Sequence, residues 1–77
     1  MTVLENVQSI ISKTLNLNPE EIKLESNLAD DLGADSIDAV EIVMDLEETF
    51  NITLSDEQTE NIKTVADLVN YIEQAIK

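Results

Sequence analysis

Three side chains that carry much of protein chemistry are missing from this sequence: it has no cysteine, no histidine and no arginine among its 77 residues. Without cysteine there can be no disulfide and no thiolate metal site. Without histidine the chain lacks the commonest general base and the commonest transition-metal ligand. These absences remove the site chemistries that depend on a thiol or an imidazole.

Positive charge is scarce as well, with four lysines against 17 acidic residues and a formal net charge of −13. So few cations cannot form a patch that binds a nucleic-acid backbone, and they argue against adhesion to an anionic membrane. Basic proteins are the expected partners, because the long-range field of an acidic protein attracts them.

Long apolar runs and a basic amino-terminal segment are also absent, so we expect no signal peptide and no membrane span, and a cytoplasmic protein. The length allows one small domain, residues 1–77, with no room for a second core. With one Phe and one Tyr, the core must consist of Leu, Ile and Val.

Helix signals divide the first half of the chain. Thr2 followed by Glu5 fits a capping box, and apolar residues at helical spacing extend this helix to about Leu15. Asn18-Pro19 starts one further helical turn before Ile22. The segment 16–35 is long for a loop, but several apolar residues can hold it against the core: Leu17, Ile22, Leu24, Leu28 and Leu32.

The only glycine, Gly33, precedes a central helix that is capped by Asp35 or Ser36 and ends near Phe50-Asn51. A capping box at Ser55 and Gln58 starts a short helix to about Asn61. The last helix begins at Thr64, and its predicted inner residues are Val65, Leu68, Val69, Ile72 and Ile76. Ile52-Thr53-Leu54 is too short to predict a strand. The pattern predicts an all-α fold: a small four-helix bundle of three main helices and one short one, with a long ordered loop between the first two.

Two sets of side chains recur at steps of three and four along the central helix. The apolar set, predicted to share one side, is Ile37, Val40, Val43 or Met44, Leu46 and Phe50. The acidic set on another side is Asp38, Glu41, Asp45 and Glu48. Such a stripe is usually a solvated face, but like charges at this spacing weaken a helix, so it can also be a site for a cationic partner.

Ser36 allows more than one interpretation. A serine at a helix start is usually only a cap, whereas an exposed hydroxyl there can also be a covalent attachment point. A phosphodiester on Ser36 would lie at the positive end of the helix dipole, although the neighbouring acids oppose this. A catalytic nucleophile is disfavoured because no histidine is available to activate it.

The acidic residues do not form a calcium loop. An EF-hand starting at Asp30 would need ligands where Leu32 and Ala34 stand, so we predict no metal site. Six apolar positions are ordinary core residues or line an expandable apolar cavity, and the pattern does not separate these readings: Val43, Leu46, Leu54, Ile62, Leu68 and Ile72.

Taken together, these segments resemble the acyl carrier proteins of dissociated (type II) fatty-acid synthesis over essentially the whole chain. The resemblance rests on Leu32-Gly33-Ala34-Asp35-Ser36, on the helix 40–50 and on Ile62-Lys63-Thr64-Val65 with Asp67-Leu68 and Tyr71-Ile72. One departure is Ile37, where the family's Asp-Ser-Leu signature has leucine.

The resemblance implies a non-enzymatic monomer whose Ser36 carries 4′-phosphopantetheine, transferred from coenzyme A by a phosphopantetheinyl transferase (holo-acyl-carrier synthase). The thiol that thioester carriage requires would then come from this arm, since the chain has none. Fatty-acid synthesis enzymes with basic patches would dock on the second helix at Asp35, Ile37, Asp38, Glu41, Asp45, Glu47 and Glu48. The six apolar positions above would shelter the acyl chain. Carriers of D-alanyl, peptidyl or polyketide groups, and an unmodified acidic interaction or ion-binding module, remain alternatives.

The charge generates a first prediction. Because 17 acidic side chains repel one another, added salt or millimolar Mg²⁺ or Ca²⁺ should raise the melting temperature at neutral pH and low ionic strength. Thermal unfolding followed by circular dichroism, with and without each ion, measures the effect. An unchanged melting temperature would argue against self-repulsion as a destabilising factor.

Overall fold

The computed structural model describes residues 2–77, and these form four α-helices without a β-strand. The helices are α1 (Val3–Leu15), α2 (Ser36–Phe50), α3 (Asp56–Glu60) and α4 (Val65–Ala75), and a 3₁₀ turn at Pro19–Glu21 lies between α1 and α2. The predicted all-α bundle with one short helix is confirmed. No helix in the described part of the chain is long and apolar enough to cross a membrane.

Capping boxes start all four α-helices, which explains why their first residues could be predicted. In each box the N-cap side chain accepts from the N3 amide, and the N3 side chain accepts from the N-cap amide. The N-cap residues are Thr2, Asp35, Ser55 and Thr64. Asn16 and Asn51 end α1 and α2 in the left-handed conformation, with φ of 58° and 54°, which asparagine tolerates better than most residues.

Two of these boxes lower the pKa of a carboxyl group. The pKa of Asp67 is lowered because the backbone amides of Lys63 and Thr64 donate to its carboxylate, and that of Glu5 because the Thr2 amide donates to it. A lowered folded-state pKa means that each box stabilises the fold above the ordinary carboxyl pKa. That stabilisation is lost as the pH falls through the lowered value.

The core lies between α1, α2 and α4, and α3 covers one side. It is aliphatic throughout, as the composition predicted. The buried cluster consists of Val7, Ile11, Ile22, Ile42, Leu46, Val65, Leu68, Val69 and Ile72. α1 packs against both α2 and α4, so the three main helices share one apolar interior.

The long segment between α1 and α2 is held by α4. The free amides of its first turn donate to loop carbonyls: Val65 N to Ser26 O at 3.0 Å and Ala66 N to Leu24 O at 2.9 Å. In return, Leu28 N donates to Lys63 O at 2.9 Å. Because these bonds satisfy the amino-terminal amides of α4, they stabilise the loop and the helix together.

Some apolar residues lie elsewhere than predicted. In α2 the prediction placed Ile37, Val40 and either Val43 or Met44 on the same side as Leu46. Ile37 and Val40 are instead 70% and 55% exposed, and Ile42 is 2% exposed. Of the two alternatives, Val43 is half-buried and Met44 is 60% exposed. α2 has two apolar stripes at helical spacing, and periodicity does not tell which of them meets the core.

Two predicted contacts outside α2 are also wrong. Leu24 is 43% exposed, because that part of the loop is held by its backbone carbonyl rather than by the leucine side chain. Ile76 is 47% exposed, because α4 ends at Ala75 and the residue lies beyond the helical face that meets the core.

Candidate functional site

A compact turn over residues 27–34 leads into α2, and Asn27 organises it. The Asn27 side-chain oxygen accepts from the amides of Ala29 (3.0 Å) and Asp30 (2.9 Å). The Asn27 amide donates to an Asp31 carboxylate oxygen at 2.7 Å. Ala34 N donates to Leu28 O at 2.8 Å and closes the turn. The residues before Ser36 are therefore held by their own hydrogen bonds.

Gly33 provides the backbone conformation that this turn requires. Its φ is +74°, in the left-handed region that side-chain-bearing residues avoid. No atom lies within 4 Å of the position that a Cβ would occupy, so the requirement for glycine is conformational rather than steric.

Asp35, not Ser36, caps α2. Asp35 Oδ1 accepts from Asp38 N at 2.8 Å, and Asp38 Oδ2 accepts from Asp35 N at 3.3 Å. Ser36 is the first helical residue, it is exposed, and its hydroxyl has no hydrogen-bond partner among the described residues. The interpretation of Ser36 as the helix cap is thus excluded.

The groups around Ser36 have opposite effects on an anion bound there. The first amides of α2 have no partner within the helix and carry the positive end of its dipole, which favours an anion at this point. The Asp35 and Asp38 carboxylates add negative charge, but each accepts a backbone amide in the capping box. An anionic group on the Ser36 oxygen can therefore approach the amides of Ser36 and Ile37.

The side of α2 that faces away from the core combines acidic and apolar side chains. We call this the outer face of α2, defined by the exposed residues Ile37, Val40, Glu41, Met44, Asp45 and Glu48. Within it, Ile37, Val40 and Met44 follow at i, i+3 and i+7 and form one apolar stripe. The negative charge of Glu41, Asp45 and Glu48 follows the same helix face.

Glu47 differs from these acids. It is half-buried, and its Oε2 accepts a hydrogen bond of 2.8 Å from the Leu54 amide in the loop after α2. The predicted docking residues are therefore not equivalent: Asp35 and Asp38 cap the helix, Glu47 contacts the next loop, and the other four lie free on the outer face of α2.

A small apolar cavity lies between α2, α3 and α4. Its volume is about 40 Å³, roughly three times the ~10–15 Å³ that a cavity needs to hold one water molecule. The lining residues are Leu28, Ala34, Ala39, Ile42, Val43, Thr59, Ile62 and Leu68. An open groove of about 350 Å³ beside it shares Leu28, Ala34, Ala39 and Ile62 and extends to Lys63. Ala34 and Ala39 lie on either side of Ser36 in the chain, so the groove begins near this serine.

The structure brings together only part of the predicted acyl pocket. Val43, Ile62 and Leu68 line the cavity, whereas Leu46 and Ile72 lie fully buried in the core and Leu54 lines a neighbouring groove. Sequence reasoning missed the small residues Ala34, Ala39 and Thr59, whose size leaves the space open. For Ala39 the available signal was a small residue among the larger aliphatic residues of α2, whereas Ala34 lies in the loop and Thr59 in a helix without aliphatic residues, so their local sequence gave no such signal.

Metal binding finds no support in the described residues. Among the side chains that the structure describes, those of residues 2–55 and 57–77, no three acidic groups converge in an arrangement that could hold a metal ion.

Comparison with known proteins gives consistent results. The family model described as "Phosphopantetheine attachment site" matches residues 5–72. An acyl carrier protein of Wolinella succinogenes is 52% identical over 73 residues, 95% of this chain and 96% of that protein. An acyl carrier protein of Exiguobacterium sibiricum is 49% identical over 74 residues, which are 96% of this chain and 94% of that protein. The solved acyl carrier protein of Enterococcus faecalis superimposes with a TM-score of 0.81 at 40% identity, covering 97% of this chain and 99% of that one.

Gly33 generates a prediction about the turn before Ser36. Gly33→Ala should lower the free energy of unfolding by about 1 kcal/mol, because alanine is strained at φ +74° although space is free. Gly33→Asn should cost less, since asparagine adopts this conformation more readily. Urea denaturation of the three proteins measures both effects. Equal losses for Ala and Asn would contradict a purely conformational cause.

Proposed function

The chain belongs to the acyl carrier protein family, whose domain is a phosphopantetheine attachment site, and from this premise we propose that Ser36 is the residue that carries the arm. Members of this family are carriers rather than enzymes, with 4′-phosphopantetheine attached covalently. The whole chain, 1–77, would act as one acyl-carrier domain.

One observation carries the assignment to Ser36. Its hydroxyl is exposed at the first position of α2 and free of hydrogen bonds to the described residues, because Asp35 serves as the cap. An attachment site needs a nucleophilic oxygen that a modifying enzyme can reach and that the fold does not use. The lack of an activating base nearby matters little, since the transferase supplies the catalysis.

The surroundings of Ser36 suit such an arm. The first amides of α2 stabilise the negative charge of a phosphodiester. The groove that begins at Ala34 and Ala39 offers an apolar surface along which an arm can lie. When attached, the arm supplies a thiol that holds acyl groups as thioesters, which this cysteine-free chain cannot do itself.

The outer face of α2 is the proposed docking surface for the phosphopantetheinyl transferase and for the synthesis enzymes. Basic residues of these partners would pair with Glu41, Asp45 and Glu48, and Asp35 and Asp38 add negative charge beside Ser36. The exposed Ile37, with Val40 and Met44, offers an apolar contact between the charges. The charges would speed association, and the apolar stripe would extend the lifetime of the complex.

We assign the cargo to fatty acyl chains of dissociated fatty-acid synthesis in the cytoplasm. The dense acidic residues around Ser36 and the apolar cavity between α2 and α3 support this assignment over a D-alanyl, peptidyl or polyketide cargo. The cavity must widen to admit an acyl chain, and Val43, Ile62 and Leu68 would then contact the chain.

A prediction follows for the attachment site. Co-expression with a phosphopantetheinyl transferase should add the mass of one phosphopantetheinyl group to the protein, and Ser36→Ala should abolish the gain. Intact-mass spectrometry measures both. The control variant Ser9→Ala, which changes a serine in α1, should be modified like the wild type. Modification of the Ser36→Ala variant would refute the assignment.

A second prediction concerns docking. Glu41→Lys and Glu48→Lys should each slow phosphopantetheine transfer and acyl transfer several-fold while α2 stays intact, because each places a repulsive charge opposite a basic partner. Transfer rates at low salt, with circular dichroism as a check on folding, test this. Glu73→Lys is the matched control, since it makes the same charge change at an exposed position of α4. Equal slowing by all three variants would indicate a net-charge effect rather than a docking surface.

A further inference from the structure

Glu47 makes three hydrogen bonds to the loop that follows α2. Its backbone carbonyl accepts from Asn51 N, as the C-cap bond of α2, and from Ile52 N at 3.1 Å. Its carboxylate accepts from Leu54 N at 2.8 Å. A single residue thus holds most of the loop between α2 and α3. The neighbouring Glu48 is exposed and has no hydrogen bond from its side chain to the described residues.

The loop residues held by Glu47 determine where α3 begins. Leu54 is 8% exposed, and the next residue, Ser55, is the N-cap of α3. α3 has only five residues, too few to be stable as an isolated helix. Its position must come from its own capping box and from the anchors on either side, which are Leu54 before it and Ile62 after it.

α3 and the loop before it form one wall of the small apolar cavity between α2, α3 and α4. Thr59 of α3 lines the 40 Å³ cavity together with Val43 of α2. The same two residues, with Glu47 and Leu54, line an adjoining groove of about 190 Å³ between α2 and α3. Because the cavity has room for only about three water molecules, space for an acyl chain must come from movement of a wall. The least supported wall is α3.

We propose that Glu47 is a positioning residue: its hydrogen bond to the Leu54 amide holds α3 against α2 and thereby limits how far the acyl cavity opens. This role needs the acceptor oxygen of Glu47, and the charge only strengthens the hydrogen bond. It therefore separates Glu47 from the acids of the outer face of α2. The proposal rests on the proposed function insofar as the cavity is taken to shelter an acyl chain.

Three variants separate the acceptor role from the charge. Glu47→Ala removes both the acceptor and the charge, whereas Glu47→Gln removes the charge and keeps an oxygen that can accept from Leu54 N. Glu48→Ala is the matched control: it also removes one negative charge, but the Glu48 side chain makes no hydrogen bond to the described residues. Urea denaturation of all three determines global stability, so that local effects can be distinguished from it.

Amide hydrogen exchange of the unmodified proteins is the first measurement and does not depend on any acyl chain. The Leu54 amide and the amides of α3 should exchange roughly tenfold faster or more in Glu47→Ala, as expected for loss of a hydrogen bond to a charged group. Their exchange rates should stay within about threefold of wild type in Glu47→Gln, because the neutral amide oxygen still accepts from Leu54 N, although more weakly than a carboxylate. They should also stay within about threefold in Glu48→Ala, which leaves this hydrogen bond in place. The proposal would be overturned if amide exchange were accelerated equally in Glu47→Gln and Glu47→Ala, or in neither variant.

Cleavage of the thioester by hydroxylamine is the second measurement, made on the arm-bearing proteins loaded with an octanoyl or an acetyl group. Glu47→Ala should speed cleavage of the octanoyl form several-fold and leave the acetyl form unchanged, since only the longer chain reaches the cavity. Glu47→Gln should behave as wild type. Faster cleavage in both Glu47 variants alike would overturn the acceptor role.

The failure of the proposed function would look different. If wild type cleaves its octanoyl and acetyl forms at the same rate, the cavity shelters no acyl chain. That result overturns the link between Glu47 and the cargo even if hydrogen exchange still separates the two Glu47 variants.

Discussion

The burial of Ile42 and Leu46 of α2 in the core that this helix shares with α1 and α4 is the constraint on which the rest of this structure depends. Both side chains are almost fully buried, so they fix the rotation of α2 about its own axis. That rotation decides which residues of the helix face away from the core. The outer face of α2, the position of Ser36 and the half-burial of Glu47 all follow from it.

The same contacts oppose a considerable electrostatic repulsion. Because the net charge is −13 and the aliphatic core is small, we expect a low free energy of unfolding. Part of the negative charge has a structural use in this fold. Glu5, Asp35, Asp38 and Asp67 complete capping boxes, where a carboxylate near a helix amino terminus is favourable. Glu41, Asp45 and Glu48 have no such use, and it is these acids that can pair with a partner.

The arrangement also separates a rigid part of the molecule from one that is less supported. Ser36 follows a hydrogen-bonded turn and a capped helix start, so the proposed attachment point is well positioned. α3, by contrast, is a single short helix that depends on the loops at its two ends. Both properties suit the proposed function, in which a modifying enzyme must find Ser36 in one place while the cavity must widen for an acyl chain.

Much of this protein could be determined from local sequence patterns. The starts of α1, α3 and α4 were predicted at their observed residues, and that of α2 to within one residue, since a capping box involves only residues three apart in the chain. The all-α class, the turn at Gly33 and Ser36 as the candidate residue were also accessible, and so was the family, because its motifs extend along the whole sequence.

Only the tertiary structure decided which residues that are distant in the sequence contact one another. Periodicity identified one apolar set and one acidic set on α2, but the packing of the core buried Ile42, which was not in the apolar set, and left Ile37, Val40 and Met44 exposed. The hydrogen bond from Leu54 to Glu47 and the cavity at Ala39 and Thr59 depend on how the loop folds back and how α3 lies over α2. Helix caps are set by neighbours in sequence, whereas buried faces and cavities are set by neighbours in space, and for this reason the second kind could not be predicted from local patterns.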